Sequence, residues 1–160
     1  MENIMPEALR YPAGDNVLTV TYLTPDAQLP ILLRDGRYKL LPWGRRRNEL
    51  GNLPFGPHAA LHQIYSGWWD KYFPHPVKIP YLAFMEQDFE GRSKWYENAL
   101  QAQHHIQGLI AKDGNELRVY IVTEQPDSEM QPFHDRWPRI VTHLDKNLSD
   151  AQKQRAKANK

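Results

Sequence analysis

An α+β fold is what this sequence predicts: a curled, mainly antiparallel β-sheet of barrel-like form with short peripheral helices. Asp35-Gly36 and Asp113-Gly114 each lie between β-prone runs, the pattern of a hairpin closed by a tight turn. Val119-Tyr-Ile-Val-Thr123 is a β-branched apolar run that reads as a buried strand. Between residues 51 and 80, prolines and glycines break any long helix. Several hairpins with few strong helices favour a sheet that curls toward closure and carries its helices outside.

The elements follow in order. Residues 17–23 are rich in β-branched and aromatic side chains, and residues 31–33 and 38–41 flank Asp35-Gly36, so the first third is β-rich. Residues 58–65 predict two helical turns ahead of Ser66-Gly67, with Trp68 and Trp69 then near the surface or forming a lid. Residues 78–85 read as a strand, residues 88–92 as the turn leading into residues 93–97, and residues 105–111 as a strand paired with residues 117–123. At 160 residues the chain can bury a substantial core as one unit. Residues 1–145 are expected to form that single domain. Residues 146–160 are basic and poor in apolar side chains, the composition of a flexible tail.

A formal net charge of +1 does not mark the chain as a bulk binder of nucleic acid, so the distribution of charge matters more than its sum. Arg34, Arg37, Lys39, Arg45, Arg46 and Arg47 crowd one hairpin and the loop after it, interleaved with Tyr38 and Trp43. Such a mixture neutralises phosphates while an aromatic face accepts an unstacked base. The competing reading makes the arginine triplet a solvated turn beside an edge strand. With no cysteine there is no disulfide framework and no thiolate metal site. His58 and His62 have the i, i+4 spacing of a helical metal pair but no recognisable third ligand, so neither metal nor cofactor is expected. No apolar run is long enough to cross a bilayer, and the first residues lack the basic and apolar regions of a secretory signal; a cytoplasmic location is expected.

The densest chemistry follows the Val119-Thr123 run. A loop holding Pro126 and Pro132 leads to Phe133-His134-Asp135-Arg136-Trp137-Pro138, which sets a proton carrier, a carboxylate and a fixed cation side by side, with a proline stiffening the exit.

These residues carry a resemblance. His134-Asp135-Arg136-Trp137-Pro138 is similar to the His-Asp-Arg-Met-Pro segment of the SOS response-associated peptidase (SRAP) family, differing at the tryptophan. Other landmarks come in the family's order. Arg10-Tyr11 resembles its early Arg-Tyr-Asn, and Trp43-Gly44 its Trp-Gly pair after a hairpin. Ile79-Pro80-Tyr81-Leu82-Ala83-Phe84-Met85-Glu86 is similar to its Ile-Pro-Ala-Asp-Gly-Phe-Tyr-Glu, and Ile106-Gln107-Gly108-Leu109 to its Phe-Ala-Gly-Leu strand. The likeness runs from Arg10 to Val141.

The resemblance implies the same α+β architecture and a role in the DNA damage response on single-stranded or abasic-site DNA. Family members use a cysteine at position 2 to form a thiazolidine with the ring-opened abasic sugar. Here position 2 is Glu2 and the chain has no cysteine, so non-covalent binding is expected. Glu86 and His134 map onto the family's catalytic glutamate and histidine and could share proton transfer. His58-Ala59-Ala60-Leu61-His62 aligns with the family's Asn-Ala-Arg-Ala-Glu, putting His58 at the DNA-contacting asparagine and a methyl group where the arginine stood. The expected DNA-binding residues are Trp43, Arg45, Arg46, Arg47, His58 and Arg136. Two alternatives stand beside this: a hydrolase or weak abasic-site lyase using Glu86 and His134, and a degenerate, phage-related family member reused for protein binding through Trp68, Trp69, Tyr72 and Phe73.

Overall fold

A computed structural model describes residues 7–100, 103–131 and 136–143. The chain folds as expected into an α+β structure, mostly β, whose principal sheet curls into a half-barrel. Its strands are β1 (Ala8–Ala13), β2 (Asn16–Thr21), β3 (Gln28–Leu32), β4 (Tyr38–Pro42), β5 (His58–Ala60), β6 (His75–Ile79), β7 (Ala83–Gln87), β8 (Ser93–Glu97), β9 (His105–Asp113), β10 (Glu116–Glu124), β11 (Trp137–Pro138) and β12 (Ile140–Val141). One α-helix, α1 (Leu61–Tyr65), and a 3-10 turn over Asp70–Tyr72 are the helical elements among the described residues.

Strands β2-β1-β7-β8 form an antiparallel sheet. A larger sheet is built on the long β9-β10 hairpin, whose register runs from Glu116 opposite Asp113 to Ile121 opposite Gly108. Strand β6 pairs with β9, and β5 lies parallel to β10. Beyond Gly108 and Ile121 the segment holding β11 and β12 enters between β9 and β10. Arg139 bridges them, its N–H donating to the Val122 carbonyl (2.8 Å) and its own carbonyl accepting from Gln107 N–H (2.8 Å). The β3-β4 hairpin stands apart as a two-stranded sheet, with Gly36 at φ 87° completing its turn.

Two apolar clusters follow from strand alternation. Leu9, Tyr11, Leu29, Ile31, Trp43, Ile79, Phe84, Ile106, Val119 and Ile121 fill the space between the sheets. Leu53, Ala59, Ile64, Trp69, Leu109, Tyr120 and Val122 pack on the opposite face of the β9-β10 hairpin, under α1.

The predicted helix over residues 58–65 is half strand: β10 recruits His58–Ala60 into its sheet, and only one turn of helix remains. The predicted strand over residues 78–85 is two strands in different sheets. Pro80 has no N–H for the ladder, so β6 ends at Ile79 opposite Ile106 and the chain turns to begin β7 at Ala83. Trp69 is fully buried against Tyr120, while Trp68 stays 46% exposed. The tail expected over residues 146–160 lies outside the described residues. No helix among the described residues is long and apolar enough to cross a membrane.

Candidate functional site

Glu7 precedes β1 and is fixed there through its carbonyl, which accepts the Tyr22 N–H at 2.9 Å. Counting back from Tyr11 and Leu9, both inward and buried, alternation sends the Glu7 side chain inward as well; it is 3% exposed. On β7, Glu86 follows Phe84 on the same inward face and is 2% exposed. Leu9 pairs with Phe84 and Ala8 with Met85, so Glu7 and Glu86 come next to each other one step past the last paired residues. From the other sheet, His58 stands on β5 beside Ile121. Ligand-type atoms of Glu7, His58 and Glu86 all lie within 4.8 Å of one another. His58 Nε2 is 2.7 Å from Glu7 Oε2, and both side chains are more than nine-tenths buried. The pair is close but not aligned as a hydrogen bond, and Glu7 Oε1 and His58 Nδ1 also have no hydrogen-bond partner.

Aromatic rings border Glu86. Tyr96, on β8, stacks on Phe84 (5.5 Å, 23°) and meets Trp137 edge-on (4.8 Å, 77°). Burial raises the Tyr96 hydroxyl above its ordinary pKa, and the charges of Asp88 and Glu86 add to this. Trp137 also sits edge-on to Phe84 at 5.1 Å, anchoring the chain just after Arg136 to the strand that carries Glu86. Arg136 is half-buried, with its Nε lacking a hydrogen-bond partner. His134 and Asp135 lie outside the described residues.

The arginine triplet divides. Arg46 is buried: its Nη1 and Nη2 donate to the Trp43 carbonyl (2.7 and 2.8 Å), and Nη1 also reaches Glu49 Oε1 at 3.0 Å. Arg45 donates to the carbonyls of Glu49 and Leu53 and lies 4.2 Å over the Phe55 ring. Both side chains hold their own loop. Arg47 is exposed. Trp43 is completely buried and its indole N–H donates to the Pro57 carbonyl, so it has no open face for a base. The aromatic ring at the surface here is Phe55, 51% exposed. A cleft of about 630 Å³ runs along this loop, lined among others by Tyr22, Arg45, Arg47, Glu49, Phe55 and Pro57. The Tyr22 N–H donates to the Glu7 carbonyl and Pro57 precedes His58, so two residues of the cleft wall adjoin the acidic cluster, whose own side chains do not line the cleft.

Sequence reasoning singled out Glu86 and His58 separately, and the fold brings them together. It missed Glu7. The signal was the alternation Glu7, Leu9, Tyr11, which places a carboxylate on an otherwise apolar inward face. His62, the expected helical partner of His58, points outward on α1 and is exposed. No family model matches the chain, and no curated protein matches it.

Proposed function

We propose that this is an SRAP-like protein that binds single-stranded DNA, with preference for an abasic site, without forming a covalent bond. One observation carries the reading. Glu86 and His58, which the resemblance sets at a catalytic and a DNA-contacting position, lie far apart in sequence yet share one buried cluster. The chemistry fits a sugar. Carboxylates and a neutral imidazole nitrogen accept hydrogen bonds from hydroxyls, and an abasic site offers an extra hydroxyl with no base to block the approach. The adjoining cleft supplies Arg47 for a phosphate and Phe55, beneath Arg45, as a stacking surface. With no cysteine present, the bound aldehyde meets no thiol, and the complex stays reversible.

Fluorescence anisotropy of a labelled single strand, with and without one abasic site and across a salt titration, tests this. Binding that weakens with salt and is tighter for the abasic strand is expected. Absence of binding at low salt would overturn the proposal.

A further inference from the structure

We propose that Glu7, His58 and Glu86 form a binding site for one divalent first-row transition-metal ion of the zinc or manganese class. The ion would lie in the cluster just described, and its binding does not depend on DNA.

Charge favours a cation here. Glu7 and Glu86 face the same interior from neighbouring strands, 3% and 2% exposed. Like charges opposed across two strands destabilise a sheet, and burying each one adds a desolvation cost. A protonated His58 offsets one negative charge. A dication offsets both.

The cluster also has unmet polar capacity. Glu7 Oε1 and His58 Nδ1 are buried without a hydrogen-bond partner, and His58 Nε2 is misaligned for one although it lies 2.7 Å from Glu7 Oε2. Buried donor atoms without a partner are what a metal ion in the cluster would satisfy, given a small outward shift of His58 Nε2 and Glu7 Oε2 from their ion-pair distance.

The donor set selects the ion. One imidazole nitrogen and two carboxylates, with no thiolate in the chain, suit zinc or manganese better than calcium or magnesium, which prefer oxygen alone. The ligands come from both sheets, so an ion here ties β1 and β7 to β5. Three protein ligands leave a coordination position for water or a sugar oxygen.

The test uses the full chain, stripped with a chelator and dialysed against Zn2+ or Mn2+ separately, with bound metal measured by elemental analysis and thermal melting followed in parallel. About one equivalent of metal and a raised melting temperature that the chelator reverses are expected. E7Q and E86Q, each close in shape to wild type, should each weaken binding at least about tenfold, and H62A should leave it unchanged. Cobalt substitution should give a visible absorption band that E86Q removes. If E7Q fails to fold, E86Q and the cobalt band decide. A wild-type chain that takes up no more metal than E86Q would overturn the proposal, as would metal binding lost in H62A and retained in both glutamine variants.

Discussion

Arg118 and Glu116 show how single side chains hold the loop beside the site. Arg118 is buried and donates to the Gly44 carbonyl (2.9 Å), to Leu50 (3.3 Å) and to Glu116 Oε2 (2.7 Å). Glu116 Oε1 in turn accepts the N–H groups of Asn52 and Leu53. Arg118→Ala should cost about 3 kcal/mol in chemical denaturation, since it leaves buried acceptors and a carboxylate without their partner. Burial works to raise the Glu116 carboxyl, but the donors from Arg118, Asn52 and Leu53 outweigh it and hold the group below its ordinary 4.5. A lowered folded pKa means that the stabilisation is complete above pH 4.5 and is lost as acid carries the pH down through the folded value. Glu116→Gln should therefore lower the urea midpoint at pH 7 and flatten its fall in acid. Gly44 is a third fixed point. Its φ is +54°, and a Cβ there would collide with the Gly56 carbonyl, so Gly44→Ala should open the arginine loop and abolish the cleft, seen as protease cleavage within residues 44–57.

At the level of elements, most of the sheet was legible. The hairpins around Asp35-Gly36 and Asp113-Gly114 formed where turn chemistry placed them, because an Asp-Gly pair between β-prone runs specifies both the turn and the pairing. Local pattern failed where pairing partners were distant. His58 has no local reason to be extended; the free edge of β10 supplies one. Residues 78–85 look continuous in hydrophobicity, yet Pro80 divides them between two sheets. The role of Trp137 was equally hidden, since its partners Phe84 and Tyr96 lie on β7 and β8. Of the candidate site, Glu86 and His58 were legible as members and Glu7 was not, because a carboxylate before a strand has no partner until β7 is laid beside it. Trp137→Ala should cost about 2–4 kcal/mol and loosen β11, read as faster amide exchange at Arg139 and Gln107 while the β3-β4 hairpin keeps its protection.

For the whole molecule, the two sheets matter because neither holds a site alone. The sheet of β1 and β7 brings two carboxylates, the sheet of β5 and β10 brings the imidazole, and the stapled loop between β4 and β5 forms a cleft whose wall residues Tyr22 and Pro57 adjoin them. On the proposed reading, recognition of an abasic strand would have two separable parts: salt-dependent contact along the cleft, and a sugar-specific part in the cluster. Arg47→Ala should weaken intact and abasic strands alike and reduce the salt slope by about one, leaving their ratio unchanged. The most direct measurement is the ratio of abasic to intact single-strand affinity for the wild-type chain and Glu86→Gln, side by side at one salt concentration. The account predicts a preference of about tenfold in the wild type, equal to ~1.4 kcal/mol, that falls to near one in Glu86→Gln while intact-strand affinity is retained. Equal affinity for both strands in the wild type, or a preference that survives the substitution, would contradict it.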